Sequence, residues 1–139
     1  MIWRGLLLAI LLAGCVQLQP TAQDLQAKKF EAVPDKAVIY LVRDSPDFSD
    51  IQSQIRLGDK LLMKTYPGTY YRWEVPAGTH VITGYGEDIG TITVQVERGR
   101  IYFVQQQVAG MRVPSSRFYL VSEPEGHAAV LRSVLLTTP

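Results

Sequence analysis

The chain has 139 residues and a formal net charge of +1, from 14 basic and 13 acidic side chains. That balance excludes an electrostatic nucleic-acid binder and an acidic cation store. A single cysteine excludes an internal disulfide framework, and one cysteine with two separated histidines fits no zinc-ligand spacing.

The first four residues carry one positive charge, at Arg4. Residues 5–13, GLLLAILLA, hold no polar side chain. A basic start, a short apolar centre and small residues at a cleavage point describe a secretory signal. The apolar run over 5–16 is twelve residues long, against the roughly 20 that a transmembrane helix needs. Leu12-Ala13-Gly14-Cys15 resembles the bacterial lipobox, Leu-(Ala/Ser)-(Gly/Ala)-Cys, at every position. The resemblance implies that Cys15 receives a diacylglycerol thioether. It also implies cleavage before Cys15 and acylation of the new amino group. One acyl chain anchors only marginally, at about 0.8 kcal/mol per buried CH₂, and three make release negligible. An Asp after the cysteine resembles an inner-membrane retention signal in many Gram-negative bacteria. Val16 stands there, which points to the periplasmic face of the outer membrane. Removing residues 1–14 takes away one charge, Arg4, and leaves 13 of each sign. The expected organisation is a signal peptide over 1–14, a lipidated tether with a short helix over 15–35, and one domain over 36–136.

The elements follow in order. Residues 1–13 form a helix if the signal is uncut. Residues 21–32 form a short helix capped by Thr21, with Asp24 completing an imperfect capping box. Pro34 ends it. Residues 37–42, AVIYLV, are continuously apolar and suit a strand covered on both faces. Residues 44–50, DSPDFSD, read as a solvated loop. Strands over 51–57 and 61–65 flank a Gly58-Asp59 hairpin turn. Further strands are expected over 69–75, 79–85, 91–97, 101–108 and 118–121. In the 91–97 segment Ile92, Val94 and Val96 alternate inward. Ser122, Pro124 and Glu125 open a helix running to about residue 134, although Gly126 sits badly in its first turn. This pattern predicts a mainly β protein, an antiparallel β-sandwich of about seven short strands with peripheral helices near each end.

The order of several motifs is similar to a domain family of unknown function found mostly in small proteobacterial lipoproteins. The elements are AVIYLVR at 37–43, GTYY at 68–71, VPAGTH at 75–80, RGRIYFV at 98–104 and LVSEPEG at 120–126. The resemblance covers roughly 37–132 and implies a β-sandwich; it supplies no activity. Gly58-Asp59 and Ala77 depart from the family pattern, both at turns.

Few residues are candidates for chemistry. His80 reads as a half-buried histidine bonded to nearby backbone, with ligand contact and catalysis as the other readings. His127 reads as solvated. Asp44, Asp47 and Asp50 lack the alternation of a calcium loop. Gly84, Gly86 and Gly90 are spaced one residue too widely for a dinucleotide fingerprint. In the aromatic stretch 66–73, Tyr71 and Trp73 share one strand face, expected in the core. Tyr70 and Arg72 share the other, and with Tyr66 would form a glycan- or peptide-binding patch if exposed. The expected protein is thus a membrane-anchored, non-enzymatic module without a cofactor or metal. Its expected partners are the membrane, through the lipid on Cys15, and an envelope protein, with no nucleic acid. The alternative is a glycan- or small-molecule-binding module using Tyr66, Tyr70, Arg72 and His80.

Overall fold

The computed structural model describes residues 20–60 and 62–137. The lipobox with Cys15, the expected helix over 1–13 and the signal peptide lie outside them. Two helices and nine strands follow in order: α1 (Ala22–Ala27), β1 (Ala37–Arg43), β2 (Ser53–Leu57), β3 (Met63–Thr65), β4 (Thr69–Val75), β5 (Gly78–Gly84), β6 (Thr91–Val96), β7 (Ile101–Ala109), β8 (Ser115–Val121), α2 (Glu123–Leu131) and β9 (Val134–Leu135). No helix among the described residues is long and apolar enough to cross a membrane.

The strands form two sheets, β8-β7-β1-β4-β9 and β3-β2-β5-β6, packed as the expected sandwich. The pairing is mixed: β1 runs parallel to β7, and β9 parallel to β4. From β1 the chain builds β2 and β3 in the second sheet and returns antiparallel on one edge of β1 as β4. After β5 and β6 it comes back as β7 on the other edge, entering from the end at which β1 began.

All seven residues of β1 are buried, as its unbroken apolar run requires. Ala37, Ile39 and Leu41 face the core between the sheets, with Ile55, Trp73, Ile82, Val94 and Val104. Val38, Tyr40 and Val42 face a second core with Tyr70, Phe103, Ala129 and Val130. Each large apolar side chain buried this way contributes about 1.5–3 kcal/mol. The helices are therefore not peripheral. They cover the far side of the five-stranded sheet, and the domain has three layers. In β6, Val94 and Val96 are buried while Thr91, Thr93 and Gln95 are exposed, following the alternation in sequence.

Both helix starts are capped by hydroxyls. Thr21 Oγ1 accepts from the Asp24 N–H at 3.0 Å, and Ser122 Oγ accepts from the Glu125 N–H at 3.4 Å. The Asp24 side chain does not complete a capping box. It is spent on Tyr70 and Lys28. Gly126 is required in α2 because a Cβ there would lie 2.2 Å from Phe103 Cγ, so only a glycine lets the helix seat on the sheet. The helix ends at Leu131, earlier than expected. The chain then adds β9 to the edge of β4, with Val134 N–H bonding Gly68 C=O and Leu136 N–H bonding Tyr70 C=O.

Candidate functional site

A cavity of about 760 Å³ forms an open groove where α1 crosses the β4–β9 edge. Its walls include Gln23 and Gln26 of α1, Glu31 beyond it, and Arg72, Trp73 and Glu74 of β4. A cavity of this size with convergent polar groups is where a ligand site is first sought. Arg72 holds the groove together. Its Nε donates to Tyr40 Oη at 3.2 Å, Nη1 to Glu74 at 3.0 Å and Nη2 to the Glu31 carbonyl at 3.4 Å. Trp73 is only 6 % exposed, and its indole N–H has no partner among the described residues.

The four residues of the expected patch do not come together. Tyr66 is exposed in the turn before β4, its hydroxyl donating to Gln52 Oε1 at 2.7 Å. Tyr70 is 1 % exposed, sealed under α1, and its hydroxyl donates to Asp24 Oδ1 at 2.5 Å. Burial, and then the Asp24 carboxylate, push that hydroxyl far above the ordinary tyrosine range. Arg72 faces the groove. His80 lies in the other sheet, half-buried, with Nε2 donating to the Pro76 carbonyl at 2.7 Å. Tyr70 is the decisive difference: helix α1 covers the part of the outer sheet face that alternation left open. His127, expected in solvent, is only partly exposed and stacks on Phe30 at 3.9 Å between centroids.

Two polar centres were not foreseen. Arg43 closes β1 and is 1 % exposed. Its guanidinium donates to Asp47 at 2.7 Å and to the carbonyls of Ser49, Ile51 and Thr65 at 2.6, 2.8 and 3.1 Å. Asp47 in turn accepts from the Val108 N–H at 3.1 Å. The loop read as solvated is thus wound around a buried cation. An Arg at the end of a strand covered on both faces was the signal, since a buried charge must be paired.

The second centre lies between the sheets. Buried Gln106 donates to Ser53 and Ser116, each at 2.9 Å, and accepts from Thr65 at 2.8 Å. Ser116 Oγ donates to Asp88 at 2.6 Å, and Asp88 also accepts from the N–H groups of Ser116 and Gly90. The glycine-rich segment between β5 and β6 wraps this carboxylate. A Cβ at Gly84 would lie 2.3 Å from Asp88 Cγ, and one at Gly90 would lie 2.2 Å from the Ser116 carbonyl oxygen. Gly84 and Gly90 serve close packing, while Gly86 takes a positive φ of 70° in the turn. Among the described residues no group of three or more His, Cys, Asp or Glu side chains gathers to hold a metal.

No family model matches the chain, and no curated protein matches it. The functional reading therefore rests on the residues themselves.

Proposed function

We propose that this protein is a lipid-anchored binding module of the bacterial cell envelope, held at the periplasmic face of the outer membrane by acyl chains on Cys15. The observation that carries this reading is Leu12-Ala13-Gly14-Cys15 directly after an apolar run. The start of the fold also fits. Helix α1 opens at Ala22, seven residues after Cys15, a span of at most about 25 Å of extended chain. Ala22 and Gln23 line the groove, so a partner seated there is held close to the membrane surface. An envelope protein is the partner we assign to this module.

A binding role suits the way the hydroxyl and imidazole groups are spent. Ser116 gives its proton to Asp88 inside the domain, and His80 gives one to a main-chain carbonyl in the other layer. The alternative of a glycan site on the aromatic strand loses its centre with Tyr70, which lies beneath α1.

Cells fed labelled palmitate test the reading. The wild-type chain should carry label and fractionate with the outer membrane, and Cys15→Ser should lose the label and remain as a longer precursor. Label or mature mass persisting in Cys15→Ser defeats the lipoprotein assignment.

A further inference from the structure

Phe48 is 78 % exposed, yet the loop that carries it is firmly held. Its own N–H donates to Asp47 Oδ1 at 2.7 Å, and Asp47 is fixed by Arg43 and Val108. On the other side, Ser49 Oγ donates to the Gly110 carbonyl at 2.6 Å, while the Ser49 carbonyl accepts from Arg43. An apolar ring kept in water by a pinned loop is a preorganised contact.

Behind Phe48 lies a polar shelf. The helix-packed core ends on this side at Phe103 and Val121. Beyond them Gln105 stands opposite Tyr119, and Gln107 opposite Arg117, as cross-strand pairs of β7 and β8. Directly opposed residues point to the same face, about 5 Å apart, and residues two apart on a strand are about 6.5 Å apart. These four side chains make no hydrogen bond with one another or with any other described residue. Two hollows of about 310 and 320 Å³ open here, and Phe48 and Gln107 line both. Asp44 and Asp47 are already paired, with Arg132 and Arg43. Arg117 forms no ion pair with any described residue.

We propose that this shelf binds an oligosaccharide, with adjoining sugar units in the two hollows that share Phe48. A carboxamide donates and accepts at once, as hydroxyl and acetamido groups require. The Phe48 ring offers a face to the C–H side of a pyranose. Arg117 allows the sugar a carboxylate. An extended peptide fits less well, because it would pair along the open edge of β8 and not lie on the face where Gln105 and Gln107 of β7 stand opposite Tyr119 and Arg117. The inference goes beyond the anchored-module reading and does not require the lipid.

The test uses the full-length chain, isotope-labelled, in a zwitterionic detergent that carries no sugar. A tetramer of β-1,4-linked N-acetylglucosamine and maltotetraose are the probes, each titrated to millimolar concentration and followed by NMR. Saturable shifts at Phe48, Arg117 and the Gln105 and Gln107 side-chain amides are expected with at least one probe. Phe48→Ala and Gln107→Ala should each weaken that binding by roughly tenfold with unchanged melting, while His80→Gln leaves it unaltered. The proposal is overturned by no saturable shift with either probe, by shifts confined to the α1–β4 groove, or by full affinity in Phe48→Ala. An extended peptide shifting the same shelf residues where both sugars fail overturns it equally.

Discussion

The α-carbon of Gly126 meets the ring of Phe103 so closely that no β-carbon fits between them. Helix α2 and strand β7 are in contact here through main chain on one side and a buried ring on the other. On helix propensity alone, Gly126→Ala stabilises by about 1 kcal/mol. The clash acts the other way, because Phe103 is buried and packed by Phe30, Tyr40 and His127. We expect Gly126→Ala to destabilise by about 1–3 kcal/mol. Denaturant unfolding of the full chain decides the sign, and a gain in stability means α2 does not seat as described.

Trp73 should govern stability more than His80. Truncating a buried Trp costs about 3–5 kcal/mol out of a usual total of about 5–15. Trp73→Ala should therefore melt far below the parent. Trp73→Phe should lose much less, since it also removes an indole N–H that has no described partner. His80→Gln keeps a donor for Pro76 and should stay within about 0.5–3 kcal/mol. Thermal melts of the three variants rank them; parity between Trp73→Ala and the parent contradicts its place in the core.

Removing Asp47 strands a buried guanidinium. Breaking a buried ion pair from one side costs about 3–5 kcal/mol, and the Val108 N–H loses its acceptor as well. Asp47→Ala should show that loss in unfolding, together with faster amide exchange at Val108. Normal exchange at Val108 in Asp47→Ala speaks against the anchoring of the loop.

In alkali the tyrosines under α1 become a weakness. Burial raises the Tyr70 and Tyr40 hydroxyls above the ordinary tyrosine value of about 10, helped at Tyr70 by Asp24 and opposed at Tyr40 by Arg72. A value raised in the folded state means stability that is complete below about pH 10 and lost as pH climbs toward the folded value. Circular dichroism should fall together with the late rise of tyrosinate absorbance, and Tyr70→Phe should move the fall to higher pH. Full ionisation of all seven tyrosines before any loss of dichroism contradicts the burial of Tyr70.

What the sequence made legible was periodicity. The unbroken run AVIYLV announced a strand covered on both faces, and Trp73 was placed inward because Arg72 and Glu74 alternate with it. Alternation tells which residues share a face, but not what covers that face. Tyr70 sits beside Arg72 in the pattern, yet α1 covers one and leaves the other at the groove. Asp24 pairs with Tyr70 across 46 residues of sequence, a distance no local pattern encodes. Strand β9 has two residues and no period at all. The Phe48 shelf was hidden for a similar reason, since a loop phenylalanine and two glutamines meet only when β7 and residues 44–52 come together.

The parallel pairing of β1 with β7 also bears on when the fold can form. Val38 meets Ile101 and Val42 meets Gln105, each 63 positions further along the chain. Such distant partners give a high contact order, and folding on the slow side, in milliseconds to seconds. A chain delivered N-terminus first has its central strand early but cannot occupy that strand's second edge until β7 emerges. Until then β1 exposes a long apolar edge that other chains can join. On the anchored reading, a chain that crosses a membrane N-terminus first presents Cys15 before β7 is available to close the domain.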